Sequence, residues 1–328
     1  MSSLPTINID GQIKIDQSVF PSIILAPKDI KLNDSIHWLN DNISEIESLL
    51  SESGAILFRG FPLVDAETFD AFSSAFNYPT FTYQDSLSNA VRINFTERVF
   101  TANEAPKEVE IYLHHEMAQT PISPDKLFFF CKTAADDGGA TPICRSDALF
   151  SELKASRPVL ANDFKTKGLR YTNIMPAENN HESGQGRSWK NTLSVTNISE
   201  AETKLKELGY TWEWLEDGRL RATTPILPAV IEVETPTGIK EVFYNQLVAA
   251  YMGWEGVRED PSVAITYGDG SPIPKEGLDL IVQLSEQFTF DIPWQDGDMA
   301  LVDNKIAMHG RRPYRGERKR QVLVALAA

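Results

Sequence analysis

The chain has 328 residues, of which 42% are hydrophobic and 23% charged, enough apolar material for a sizeable core and nothing that suggests a fibrous or disordered protein. Its 46 acidic residues against 31 lysines and arginines give a net charge of −15, which disfavours nucleic acid and anionic membrane as partners because phosphates call for a basic footprint. The N-terminal MSSLPTINIDGQIKID lacks a basic segment followed by an apolar one, and no apolar run approaches the roughly 20 residues that span a bilayer, so the expected location is the cytoplasm.

In chain order, DSIHWLNDNISEIESLLSESG (34–54) predicts an amphipathic helix, with Asp34 or Ser35 as its cap and Gly54 as its end. AILFRGF (55–61) reads as a short strand running into a turn, and DAETFDAFSSAF (65–76) as a second helix. From residue 90 onward short apolar runs alternate with Gly, Pro, Asn and Asp: KLFFFCKTA (126–134), ATPICRS (140–146), EVFYNQ (241–246), DMALVDNKIAMH (298–309) and QVLVALA (321–327). These are strands of a sandwich or barrel rather than βα units. A helical insertion around 185–225, with SEAETKLKELG (199–209) as its clearest helix, interrupts them. No linker divides the chain, so one domain over 1–328 is expected, mainly β with flanking helices. Cys131 and Cys144 are too few for a disulfide framework and read as reduced, buried thiols.

YLHHEM (112–117) holds two of the five histidines. In a strand, His114 and Glu116 project to one face and His115 to the other. His309 closes the apolar run 298–309, where a buried imidazole needs a partner. Two histidines and a carboxylate on a rigid barrel form the triad that suits non-haem Fe(II), leaving positions open for substrate and oxygen. A zinc hydrolase on the same three ligands is the alternative of a different class, although the His-Glu-x-x-His motif usual for it is absent. Arg320, at the start of the run 321–327, could grip a carboxylate bidentately, and Thr141 could add a hydrogen bond.

HHEMAQTPISPDKLFFFC, then GGATPICRS, then HGRRPYRGERKRQVLVAL resemble the taurine dioxygenase (TauD/TfdA) family of Fe(II)/2-oxoglutarate oxygenases, most of all its clavaminate synthase and SyrP-like branch. FRGF near residue 60, GLRYTNIMP (168–176) and WEWLEDGRLR (212–221) extend the likeness from about residue 50 to the end. The resemblance implies a double-stranded β-helix, or jelly roll, with His114, Glu116 and His309 as iron ligands. It implies that 2-oxoglutarate is a co-substrate with O2, its distal carboxylate held by Arg320 and Thr141. Arg318 lies on the same strand face as Arg320; alignment on VLVAL selects Arg320. It also implies a small-molecule, amino-acid-like or natural-product substrate lined by Asn103, Glu104, Trp189, Asn245 and Gln246, for each of which a structural role is the alternative. Glu116 leaves no vacant position for halide, which favours hydroxylation over halogenation; desaturation, cyclisation and epoxidation use the same ligands.

Overall fold

A computed structural model describes residues 4–15, 18–82, 86–87, 92–102, 105–179 and 187–328. Two sheets face each other. The larger runs in the order Ser22–Leu25, Ala55–Arg59, Met299–Asp303, Lys126–Thr133, Gln321–Ala327 and Thr80–Phe81, with Phe100–Thr101 also on Gln321–Ala327. The smaller runs Thr289–Ile292, Thr141–Arg145, Ala307–Arg311, Ile111–His114. Together they make the expected jelly roll with helices on the outside.

The unbroken apolar character of these strands has a plain cause: both faces are covered. In Lys126–Thr133, Leu127, Phe129 and Cys131 point between the sheets, while Phe128 and Phe130 point outward. The outward side packs on Leu39, Ile46 and Leu50 of the helix Leu32–Ser53 and on Phe69 and Phe72 of Ala66–Ser74, with Phe69 stacked on Phe130 at 5.2 Å. The smaller sheet follows the same rule. Ile143 and Ala307 face inward; Leu113, Cys144 and Met308 face the helices Ser146–Ser156, Pro158–Lys167, Leu247–Gly253 and Lys275–Gln287. Cys131 and Cys144 are free and buried as expected, and burial pushes both thiols up to about 12.

Four sequence expectations need correction. The first helix starts at Leu32 with Lys31 as its N-cap, so Asp34 and Ser35 lie inside its first turn rather than capping it. Its end is as read: Gly54, at φ 80°, donates its N–H to Leu50. DMALVDNKIAMH is two strands, Met299–Asp303 in the larger sheet and Ala307–Arg311 in the smaller. Asp303 Oδ1 accepts the Lys305 N–H at 2.9 Å and closes the turn between them. EVFYNQ is strand only through Val242, the end of Gly238–Val242. The insertion is only half helical. After Trp189–Leu193 and Ile198–Glu207 it forms a hairpin, Thr211–Trp214 and Leu220–Thr223, which extends a third sheet through Leu169–Met175.

One buried ion cluster ties helix to barrel. The helix Leu32–Ser53 has no basic residue in its last turn, and Arg145 supplies the missing positive charge, donating from Nη1 to the carbonyls of Glu52 and Ser53. The same guanidinium grips Asp147 bidentately at 2.7 and 2.6 Å, and Lys240 reaches that carboxylate at 3.0 Å. Burial opposes ionisation of Asp147, but these partners outweigh it and hold the carboxyl below its ordinary range. The stability gained is therefore present at neutral pH and lost as pH falls through that lowered value. Arg145→Leu should cost about 3–5 kcal/mol in urea unfolding, because it strands a buried carboxylate. Arg219→Leu, which breaks only the exposed pair with Asp217, should leave the midpoint unchanged.

Candidate active site

His114 is the last residue of the strand Ile111–His114 and lies directly opposite His309 in the smaller sheet, the two rings 4.3 Å apart. The strand stops there. Glu116 sits in the following turn, with Met117 at φ 58°, and its main chain is held by the side chain of Asn304 rather than by a ladder. The expected outcome of period-two geometry is nevertheless met: His114 and Glu116 converge, and His115 points away. The donor atoms of His114, Glu116 and His309 all lie within 4.8 Å of one another, the only such metal-competent cluster among the described residues. Glu116 Oε2 is 3.6 Å from His114 Nε2 and 3.4 Å from His309 Nε2, long for hydrogen bonds and short enough for one cation to touch all three.

The electrostatics suit a cation. Nδ1 of His114 faces the carbonyl of Tyr112 at 2.8 Å, which assigns the proton to Nδ1 and leaves the Nε2 lone pair directed at the cluster. Burial, with His114 beside it, pushes His309 down to about 4, so this imidazole is neutral at pH 7. Burial opposes ionisation of Glu116 as well, but His114 and His309 outweigh it and hold the carboxyl well below the usual range. A neutral ring with a free lone pair facing a buried carboxylate is the donor chemistry of a divalent metal.

His115 has a different role. Fully buried, it reaches the Asn304 carbonyl through Nδ1, with Ser146 Oγ at 2.8 Å and the Phe243 carbonyl at 3.2 Å from Nε2. Burial pushes it down to about 3, the state of a core histidine.

Two cavities meet at the cluster. A narrow one runs inside the barrel past Phe129 and Val324 to Thr141 and Arg320. Arg320 Nε donates to the Gly139 carbonyl at 2.7 Å and Nη2 lies 3.3 Å from Thr141 Oγ1, which also accepts from Trp294 Nε1 at 2.9 Å. Burial pushes Arg320 down to about 10, still charged at neutral pH, and no carboxylate pairs with it among the described residues. Arg318 instead points outward onto Asp296, both about half exposed. Thr141 lies two residues from Ile143, the strand partner of His309, which is about 7 Å along the sheet and within the span of a five-carbon diacid.

The second cavity, about 1030 Å3, opens on the other side of His114 and Glu116. Gln246 lines it, with Nε2 donating to the His115 carbonyl at 3.2 Å. The other substrate candidates are elsewhere. Trp189 is buried against Trp214, 5.0 Å away, in the core of the insertion and lines neither cavity. Asn245 is buried and bonds the main chain of Ala229 and Leu247. Asn103 and Glu104 lie outside the described residues. Sequence reasoning missed Arg92, which lines both cavities, and Asn304; only the Asp-Asn turn signal before His309 pointed to the latter.

A jelly roll that gathers two imidazoles and a carboxylate beside a buried arginine defines a metal-dependent oxygenase. The chain matches the Taurine catabolism dioxygenase TauD, TfdA family over residues 17–326 and belongs to it. It is 38% identical over 281 residues to a clavaminate synthase-like protein of Arabidopsis thaliana, covering 86% of this chain and 83% of that one. It is 31% identical over 288 residues to the dapdiamide synthesis protein DdaC of Enterobacter agglomerans, covering 83% and 82%. In fold it resembles PvcB from Pseudomonas aeruginosa, with a TM-score of 0.56 at 14% identity over 100% of this chain and 93% of that one. It also resembles AAD-2, solved with Mn(II) and N-oxalylglycine, with a TM-score of 0.50 at 14% identity over 94% and 93%. The protein is an Fe(II)- and 2-oxoglutarate-dependent dioxygenase, with O2 as the oxidant. Among the described residues no helix is long and apolar enough to cross a membrane.

In metal-free protein, His115→Ala should lower unfolding stability by about 2–4 kcal/mol, since it empties a packed site and takes the ring partner from the Asn304 carbonyl and the Ser146 hydroxyl. His114→Ala, at the cavity wall, should cost under about 1 kcal/mol. Chemical denaturation of both variants in chelator measures the difference.

Proposed function

We propose that the enzyme hydroxylates an unactivated C–H bond of a small amino-acid-like or natural-product substrate. The observation that carries this reading is the narrow cavity that joins His114, Glu116 and His309 to Arg320, a buried guanidinium with no carboxylate partner among the described residues. A buried charge without a counter-charge asks for an anion, and a diacid reaching from the metal to Arg320 supplies it. In this reading His114, Glu116 and His309 hold iron, while Arg320 and Thr141 hold the distal carboxylate of 2-oxoglutarate. When bound, iron and 2-oxoglutarate supply the oxidation: substrate C–H, O2 and 2-oxoglutarate give the alcohol, succinate and CO2.

The protein's own contribution is positioning and exclusion. Phe129, 5.0 Å from the His309 ring, and Val324 keep the co-substrate channel apolar between its polar ends. Glu116 fills the third protein position at the metal, so chloride finds no place beside the target carbon. The wide cleft is lined by Arg92, Arg219 and Arg221 as well as Glu110 and Glu255, a mixture suited to a zwitterion rather than to a simple cation. DdaC, by its name, serves dapdiamide synthesis, which supports a natural-product substrate. A zinc hydrolase on the same ligands has no use for Arg320 and Thr141.

His114→Ala, Glu116→Ala or His309→Ala should abolish iron retention, measured by metal analysis after anaerobic loading, whereas His115→Ala should keep it. Arg320→Ala should weaken 2-oxoglutarate binding by about 2–5 kcal/mol, read by calorimetry, because the carboxylate loses its charged partner. Arg318→Ala should bind normally; a larger loss there reassigns the clamp. With a turned-over substrate, mass spectrometry under 18O2 should show one labelled oxygen in the hydroxylated product, with one succinate formed per turnover and no effect of added chloride. An unlabelled product two hydrogens lighter moves the enzyme to desaturation or cyclisation, and a chlorinated one overturns the reading of Glu116.

A further inference from the structure

Asn304 bonds both main-chain groups of Glu116 through its side chain. That side chain is fully buried: Oδ1 accepts the Glu116 N–H at 2.7 Å, and Nδ2 donates to the carbonyls of Glu116 at 3.0 Å and, beyond that turn, Pro124 at 2.7 Å. Its main chain repeats the pattern, with the N–H donating to Asp125 at 2.9 Å and the carbonyl facing His115 Nδ1. Both main-chain groups of Glu116 therefore bond to one side chain. No strand does this work, because the ladder has ended at His114.

Asn304 also stands five residues before His309, in the turn by which the chain passes from the larger sheet to the smaller. His114 and His309 are set relative to each other by direct strand pairing. Glu116 has no such register; its main-chain N–H and carbonyl both bond the side chain of Asn304. We infer that Asn304 is the positioning residue of the metal centre: it clasps the Glu116 main chain to the segment that carries His309 and so fixes where the carboxylate meets the two imidazoles. This rests on the reading that these three residues hold the metal. The side-chain type is demanded by the geometry. Aspartate keeps the acceptor but loses both donors and sets a carboxylate against two carbonyls. Serine is too short to span N–H and carbonyl together. A carboxylate released from its support moves by fractions of an ångström, enough to weaken a metal site whose ligands must be pre-set.

The test uses metal-free full-length protein and Co(II), which needs no oxygen and reports its own coordination by colour. Asn304→Asp and Asn304→Ser should bind Co(II) about 10–100-fold more weakly than the parent, with a changed visible spectrum. At saturating Co(II), the 2-oxoglutarate dissociation constant should stay within about threefold, since Thr141 opens one barrel strand and Arg320 immediately precedes another, both away from the turn that Asn304 holds. A Co(II) affinity and spectrum identical to the parent, in a variant whose metal-free Tm has dropped, overturns the inference and leaves Asn304 a fold residue only. His114→Ala, measured alongside, separates the two readings: loss of Co(II) there shows that the centre is sound, so an unchanged Asn304 variant counts against the clasp alone. Should both variants fail to fold, hydrogen exchange on the metal-free parent decides. A Glu116 amide as slow as those of the barrel strands supports the clasp, and fast exchange sinks it.

Discussion

The pairing of His309 opposite His114 across one antiparallel ladder is the constraint on which the site depends. A slip of one residue would turn either ring out of the barrel and into the helical layer, because side-chain direction alternates strictly along a strand. The slip is resisted from both faces at once. Ile143 and Ala307 are committed to the space between the sheets, and Cys144 and Met308 to the helices behind. Register is thus a property of the whole double-faced core, and the two imidazoles inherit its rigidity. The irregularity between His309 and Arg311 shifts the register, and there Gly310 approaches Ile111 so closely that an added Cβ would sit 2.4 Å from its carbonyl oxygen.

Global charge is a poor guide to what happens inside this frame. The protein carries −15 overall, yet the narrow cavity is lined by Arg92, Arg311 and Arg320 with Glu116 as its carboxylate. Arg311 donates to the carbonyls of Ala105, Pro106 and Val109 and so pins one wall of the wide cleft. Net charge acts through solvent over many ångströms and is screened; the cavity is governed by groups within a few ångströms in a dry interior. An acidic surface and a cation-rich cavity are therefore compatible.

How much of this was legible in the sequence follows the range of the interactions. The His-x-Glu pair is a local pattern, so its convergence could be read from spacing, although a turn at Met117 rather than a continued strand completes it. Arg320 and Thr141 could be placed only through family likeness, since residues 179 apart share no local signal. The run 298–309 looked like one strand because a chain buried on both faces shows no alternation, and the turn that splits it is marked only by Asp303 and Asn304. Trp189 was misplaced for a related reason. An aromatic residue near a polar loop gives no hint that Trp214, 25 residues on, folds back to bury it. Within the insertion, TWEWLEDGRLRATT carries the alternation and central Asp-Gly of a hairpin, and the preceding helix drew attention from it.

The two cavities differ in what builds them. The narrow one is walled by barrel strands, whose residues are buried on every side and cannot change without disturbing the core. Beyond His114 and Glu116, the wide one takes its lining from the hairpin through Arg219 and Arg221, from Asn173 on its neighbouring strand, and from the helix end at Trp254. These elements lie outside the two facing sheets and are joined to them by loops, where substitution costs little stability. Among the described residues, Arg92, Ile111, His114 and Glu116 alone line both spaces. A substitution on the hairpin or at the helix end can therefore change the shape and charge of the wide cleft while leaving the barrel-walled space between His309 and Arg320 as it is.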